Sequence, residues 1–105
     1  MTYEEINEMM QEMGFPYAYH HFAEGEAPEP PFIIFLSPGE NTFSADNFMY
    51  YSFKRLNIEL YTDKKSPETE NVIEAVLRHH HIFYEKSEVW IESEKLYEIL
   101  YEMEV

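Results

Sequence analysis

The last ten residues of the chain alternate between apolar and acidic side chains, which is the period of a half-buried β-strand. One face of Leu96–Val105 carries Tyr97, Ile99, Tyr101, Met103 and Val105. The other face carries Glu98, Glu102 and Glu104, with Leu100 as the exception. The preceding segment, Ile82–Ile91, is joined to it by the short polar stretch Glu92–Lys95. The pattern predicts a closing β-hairpin, so the chain must build a sheet with one buried face.

A first helix is predicted over Thr2–Met13. An apolar stripe with spacings of three, four and three consists of Tyr3, Ile6, Met10 and Met13. Thr2 and Glu5 form a capping box, and Gly14 suits the residue after the helix. Met9 flanks the stripe and is expected at the edge of the core.

A second helix is predicted over Pro67–His80. Ser66 is the expected N-cap, with Pro67 in the first turn. Its predicted apolar face consists of Val72, Ile73, Val76 and Leu77.

Between the helices the sequence predicts strands separated by polar connectors. Tyr17–Phe22 can run extended, and the proline-rich Ala23–Pro31 is excluded from the interior of a sheet. Phe32–Leu36 is apolar throughout, as in a strand covered on both faces. Pro38-Gly39 indicates a turn, and Glu40–Asn47 is predicted to be a polar loop.

Phe48–Thr62 is rich in strand-forming residues, but its apolar side chains change face partway along. A single long strand with a bulge or bend near Ser52–Lys54 explains this change, and so do two shorter strands. The complete order of elements predicts one α+β domain over residues 1–105. Its sheet is mainly antiparallel, with four to five strands and both helices on one face.

Charge restricts the partners of this chain. Nine carboxylates and no lysine or arginine precede Lys54, and the formal net charge of the whole chain is −14. Such a chain repels phosphate, so we expect no specific binding to nucleic acid and no attraction to an anionic membrane. The N-terminus lacks an apolar run of the length of a signal peptide or a membrane span, which favours a protein made in the cytoplasm.

Residues suited to catalysis or metal binding are few. The chain has no cysteine and only three glycines. His79, His80 and His81 are consecutive and point in different directions on a helix end, and His20-His21 would face opposite sides of a strand. We therefore predict no catalytic residues, no metal and no cofactor.

Several sequence blocks resemble one family. They are Tyr17–Phe22 (YAYHHF), Pro30–Ile33 (PPFI), Phe43–Asn47 (FSADN), Ile58–Thr62 (IELYT), Lys86–Glu94 (KSEVWIESE) and Leu96–Met103 (LYEILYEM). In these blocks the chain resembles small prophage proteins of Firmicutes, encoded among head–tail joining and tail genes, that are similar to tail terminator or tail-completion proteins. The resemblance covers the chain from about Tyr17 to the end.

The resemblance implies a structural virion protein, not an enzyme. Its subunits would form a homo-oligomeric ring, most simply a hexamer, at the head-proximal end of the tail tube. Such a ring ends tube polymerisation and contacts the tail tube protein and a head-completion or connector protein. The protein would be located in the virion, at the interface between tail and head.

Two alternatives to a terminator ring remain open, namely another small head–tail connector component and a monomeric acidic module that binds a basic protein. Polar connectors that flank a rigid strand are where binding sites tend to lie. The candidate assembly surface therefore takes its residues from the two predicted connectors: Glu26, Glu29, Glu40, Phe43, Asp46 and Asn47. Phe43 would either tuck under its loop, which we favour, or contact a neighbouring subunit.

Overall fold

The computed structural model describes the backbone of residues 1–45 and 48–105, and the side chains of residues 1–40 and 53–105. Two helices lie within this part of the chain, α1 (Tyr3–Met13) and α2 (Pro67–His79). The strands there are β1 (Tyr17–Tyr19), β2 (Phe32–Leu36), β3 (Glu40–Ala45), β4 (Phe48–Thr62), β5 (Tyr84–Ile91) and β6 (Leu96–Glu104).

Five strands form the main sheet in the order β1-β2-β4-β6-β5. Strands β1 and β2 are parallel, and the other neighbours are antiparallel. Strand β4 lies at the centre, where Leu60 is opposite Ile33 of β2 on one side and Ile99 of β6 on the other. The predicted α+β class, with a mainly antiparallel sheet and two helices, is confirmed.

The core lies between one face of this sheet and both helices. Every second residue of the central strands points into it, as the pleat requires. The sheet contributes Ile33, Phe35, Leu56, Ile58, Leu60, Ile99, Tyr101 and Met103. The helices contribute Ile6, Met9, Met10, Met13, Ile73 and Leu77. The alternation predicted for the last strand is therefore confirmed by its buried residues.

Helix α1 is terminated as its sequence predicts. The hydroxyl of Thr2 accepts a hydrogen bond from the backbone N–H of Glu5, and the Glu5 carboxylate accepts one from the N–H of Thr2. Gly14 follows the helix at φ 80°, in the left-handed region that glycine adopts without strain. Ile6, Met10 and Met13 of the predicted stripe are buried, whereas Tyr3 is 54% exposed and Met9, expected at the edge, is fully buried.

Helix α2 differs from its prediction on one face. The hydroxyl of Ser66 accepts from Thr69 as an N-cap, and Ile73 and Leu77 are buried. Val72, predicted to face the core, is 42% exposed, whereas Glu70 is buried. A carboxylate is tolerated there because Lys65, just before the N-cap, and Lys86 of β5 both reach it.

The polar loop predicted at Glu40–Asn47 is wrong over most of its length. Glu40–Ala45 is strand β3, which pairs antiparallel with β4 from Glu40 opposite Lys54 to Ala45 opposite Phe48. Backbone hydrogen bonds define this hairpin, so it requires no alternation of apolar side chains. A register shift lies between Phe43 and Ser44, farther along the hairpin than the bulge predicted near Ser52–Lys54.

The β3–β4 hairpin extends beyond the main sheet. Strand β4 pairs with β2 and β6 only from Arg55 onward, and the last backbone contacts of that ladder join Lys54 to Val105. We call the paired residues 40–45 and 48–54 the arm. It contributes to an elongated molecule of 50 × 29 × 24 Å.

The segment predicted as extended from Tyr17 to Phe22 forms only a three-residue strand. It ends at Tyr19 because His20 has a φ of 67°, outside the β region. The connector that follows returns over the sheet surface, where the ring of Phe22 packs edge-on against Phe32. Ile34, whose neighbours Ile33 and Phe35 face the helices, is also buried. Coverage of β2 on both faces is therefore confirmed at its centre.

Candidate functional site

The residues of the predicted assembly surface are spread along the molecule. Glu26 and Glu29 are exposed in the connector before β2, and Glu40 is exposed at the start of β3, opposite Lys54. Phe43 lies in β3, but its side chain is outside the described residues, as are Asp46 and Asn47. The connector rejoins the sheet beside Tyr61, so the two groups are separated by roughly 24 Å along β4. The described carboxylates thus do not form one compact cluster.

The first histidine pair has a geometry that its sequence does not predict. His20 and His21 follow β1 instead of belonging to it, and their Nδ1 atoms lie 3.1 Å apart. The expectation that they face opposite sides of a strand is therefore wrong. One ring nitrogen donates to the other, so the two Nδ1 atoms satisfy each other.

The second histidine group ends helix α2. His79 is its last residue, His80 caps it, and His81 turns the chain at φ 57°. His80 Nε2 lies 2.9 Å from the carboxylate of Glu12 on α1. The group therefore links the ends of the two helices. Among the described residues, no three histidine or acidic side chains form a group that could hold a metal ion.

A cluster of ion pairs joins α2 to β5. The buried carboxylate of Glu70 accepts one lysine on each oxygen, Lys65 on Oε2 at 2.7 Å and Lys86 on Oε1 at 2.8 Å. Lys86 also bonds Glu74 at 2.8 Å, and Lys65 bonds Glu88. Burial alone raises the pKa of Glu70, but the two lysines outweigh it and hold that pKa below the ordinary value. The cluster is fully paired and fixes the helix on the sheet.

Tyr101 extends this cluster into the core. Its hydroxyl donates to the Glu74 carboxylate at 2.8 Å, and the ring lies beneath the ammonium of Lys86. Burial raises the pKa of Tyr101, and the hydrogen bond to Glu74 adds to the effect. The phenol is thus a neutral donor at physiological pH, with a structural role.

The sheet face opposite the helices carries a second group of acids. Glu59 is half-buried there and accepts a hydrogen bond of 3.4 Å from Tyr61, whose ring stacks on Phe32. Burial, followed by the nearby charge of Glu98, raises the pKa of Glu59. Partial burial and the like charge of Glu98 are sufficient to explain the raised pKa of Glu59, so this shift does not indicate a catalytic site.

A groove lies beside the arm, where β5 begins, β6 ends and β4 passes into the arm. Its volume is about 540 Å³. The strands contribute Phe53, Arg55, Asn57, Tyr84, Glu85, Glu102, Met103 and Glu104, and the turn after α2 contributes His81 and Phe83. Phe83 is 95% exposed, the highest value among the large exposed apolar residues that the structure describes. Sequence analysis missed this groove because its residues come from three separate segments.

The groove contains two glutamates that lie opposite each other on neighbouring strands. Glu85 of β5 is directly opposite Glu102 of β6, and Glu102 is in turn opposite Asn57 of β4. Neither glutamate has an ion-pair partner among the described residues. The groove therefore joins aromatic surface to two carboxylates, those of Glu85 and Glu102, that form no salt bridge with another described residue.

The chain matches no protein-family model, and no curated protein is similar to it at a significant level. None of the helices in the described part of the chain has the length and apolar character needed to cross a bilayer.

Proposed function

We propose that this protein is a structural subunit of a phage tail, of the tail-terminator type. Its copies form a closed ring, most simply a hexamer, at the head-proximal end of the tail tube. The ring ends tube polymerisation and provides the face to which the head-completion or connector protein binds. The sequence blocks that resemble prophage tail-completion proteins suggest this role.

The arm is the structural observation that best supports the proposal. It is a two-stranded hairpin, and within the described residues β3 pairs with no strand other than β4. An isolated two-stranded hairpin is at best marginally stable in water. An arm that extends from a compact sheet is therefore suited to contact a neighbouring molecule.

Free strand edges favour head-to-tail association over a symmetric dimer. In the described part of the chain, β5 pairs only with β6 and β1 only with β2, so the two edges of the main sheet differ in length and direction. An arm that contacts a different surface on the next copy makes a heterologous interface, and such interfaces close into rings when the rotation allows it.

The charge of the chain agrees with a ring around a DNA channel. With a net charge of −14, a ring lumen would repel phosphate and let DNA pass without strong contacts. The same charge opposes association, since like-charged subunits repel over a Debye length of about 8 Å at physiological salt.

Light scattering coupled to size-exclusion chromatography tests the proposal. We expect concentration-dependent oligomers with six copies as the largest closed species, and we expect association to strengthen as salt rises. Replacing residues 41–52 with a two-residue turn should abolish the oligomers, while Val72→Ser, an exposed change on α2, should leave them intact. A strict monomer at every concentration and salt would refute the ring and favour the binding module.

A second test addresses the role in the tail itself. A prophage in which this gene is inactivated should produce heads without tails and tubes of uncontrolled length in electron micrographs. Normal, joined tails would contradict the proposal even if the isolated protein forms rings.

A further inference from the structure

We propose that the groove between β5, β6 and the turn after α2 binds a basic segment of a partner protein. An arginine or lysine side chain of that segment lies between Glu85 and Glu102 and packs against Phe83. This inference stands on the groove alone and holds whether or not the chain forms rings.

The acidic pair is the first observation that favours a cationic ligand. Like charges directly opposite each other on neighbouring strands destabilise a sheet. Glu85 and Glu102 are such a pair, and among the described residues neither forms a salt bridge. A guest ammonium or guanidinium group between the two carboxylates would convert this repulsion into attraction.

The two faces of strand β5 show that this arrangement is specific to the groove. On the helix-facing side, Lys86 pairs with Glu70 and Glu74, and Glu88 pairs with Lys65. On the groove side, the described lining contains the carboxylates of Glu85, Glu102 and Glu104 and one arginine, Arg55. The lysines of this region are thus committed to the helix face, which leaves the groove acidic.

Phe83 supplies the apolar part of the site. Its side chain is 95% exposed at the rim, one residue before β5 begins. A scattered exposed apolar residue needs no explanation, but this ring borders a groove of about 540 Å³ that also includes Tyr84 and Met103. A cation over an aromatic face gains electrostatic energy, and arginine is found there more often than lysine.

The chemistry of the lining selects a basic protein segment over other occupants. Phosphate and nucleic acid are repelled by the carboxylates. A divalent metal ion prefers several oxygen ligands, and within the described residues no group of three acidic or histidine side chains converges. Guanidinium, by contrast, offers a planar fork for the two carboxylates and a flat surface for Phe83. A groove of this volume accommodates more than one side chain, so the ligand is a segment and not a free amino acid.

Fluorescence polarisation with a labelled probe peptide tests the site. The probe is GRLGRLGR, and GELGELGE serves as its charge-reversed control. We expect saturable binding of the arginine peptide at 150 mM salt and none of the glutamate peptide. Failure of the arginine peptide to bind at about 1 mM would overturn the proposal.

Matched variants separate the groove from the general acidity of the chain. Glu85→Gln with Glu102→Gln should weaken binding at least about fivefold, whereas Glu24→Gln with Glu26→Gln, the same charge change in the exposed connector, should weaken it less than about twofold. Phe83→Ser should weaken binding about two- to fivefold, as expected for a solvent-exposed cation–π contact. Equal losses in the two glutamine pairs would show diffuse charge attraction and overturn the site.

The melting temperature of the free protein distinguishes a binding role of the two glutamates from a structural role, because the two roles predict opposite shifts in the double variant. Because the acidic pair is repulsive without a ligand, Glu85→Gln with Glu102→Gln should raise the melting temperature by about 1–4 °C. A clear fall would show that the two glutamates stabilise the fold and would overturn the proposal. Displacement of the probe by 5 mM Ca²⁺ but not by equal ionic strength of NaCl would do the same, since it would identify a metal site.

Discussion

Replacement of Glu70 by glutamine should destabilise the fold more than any other single charge change on helix α2. The carboxylate is buried, with its side chain 4% exposed, and each oxygen accepts a hydrogen bond from a different lysine. Glutamine has one oxygen and one NH₂ group, so one lysine would face a donor in place of an acceptor. Neither rotamer of the amide satisfies Lys65 and Lys86 together.

The expected loss can be bounded from the exposure of the three side chains. Removing one partner of a fully buried ion pair costs about 3–5 kcal/mol. The lysine side chains here are 44% and 36% exposed and keep Glu88 and Glu74 as partners, so both remain partly solvated and paired. The loss should therefore resemble that of charged hydrogen bonds, about 1.5–3 kcal/mol. For a domain of this size, the melting temperature falls by about 7–14 °C.

Circular dichroism melts at pH 7 measure this loss, with Glu68→Gln as the control. Glu68 is exposed in the same helical turn, so its change removes the same charge and the same favourable position near the helix N-terminus, at a cost below about 4 °C. A Glu70→Gln protein within about 2 °C of the wild type, or a control that loses as much, would refute the assignment of the ion pairs as stabilising.

The pH dependence provides an independent check with a fixed sign. The pKa of Glu70 is depressed in the folded state, so its contribution to stability is present above the ordinary value of 4.5. It is lost as pH falls through the folded-state pKa, and the difference between wild type and Glu70→Gln should shrink there. The pKa of Lys86 is raised above 10.5, although burial alone would lower it, because hydrogen bonds and charge from Glu70 and Glu74 dominate. That part of the stability is present below 10.5 and lost as pH rises through the folded-state value. A difference that persists unchanged into acid would contradict the electrostatic origin.

Three further changes test other parts of the fold. Gly14→Ala should cost about 1 kcal/mol because residue 14 adopts a φ of 80°. Gly39 has no such backbone constraint and has open space around it, so Gly39→Ala should change the melting temperature by less than about 2 °C. Equal effects of the two changes would contradict the capping argument. Replacing His79–His81 with glutamine should lower the free energy of unfolding by at most about 1 kcal/mol, through the lost contact between His80 and Glu12. Zinc should change the melting temperature of neither the wild type nor the variant. A rise with zinc in the wild type that is absent from the variant would reveal a metal site. Phe43→Ser separates the two roles predicted for that residue: if Phe43 contacts a neighbouring subunit, the change weakens oligomers in light scattering and shifts the monomer's melting temperature by only about 1–2 °C, whereas a large thermal loss would show the side chain tucked into a core, as we favour.

The sequence determined those features that depend on neighbours in the chain. The capping box of Thr2 and Glu5 and the left-handed Gly14 follow from local backbone geometry, and both are confirmed. The alternation in Leu96–Val105 predicted β6 and its buried face because side chains in a strand alternate regardless of what covers them. Local periodicity therefore identified both helices and the closing hairpin.

Tertiary structure decided which polar segments pair and which charges are buried. Glu40–Ala45 has no strand-like alternation, and it is a strand because the first half of β4 offers backbone partners. Glu70 lies three residues before Ile73 and seven before Leu77, on the buried stripe of α2, and a carboxylate is stable there because Lys86 reaches it from β5 and Lys65 from just before the N-cap.

The groove belongs to this second category. Glu85 and Glu102 are 17 positions apart in the chain, and only the register between β5 and β6 sets them opposite each other. Phe83 joins them because the turn after α2 places its ring at the rim of the same groove. Local patterns encode the elements and their buried faces, whereas pairing between distant segments depends on the lowest free energy of the whole chain. For that reason the fold class could be predicted from the sequence, and the candidate binding groove could not.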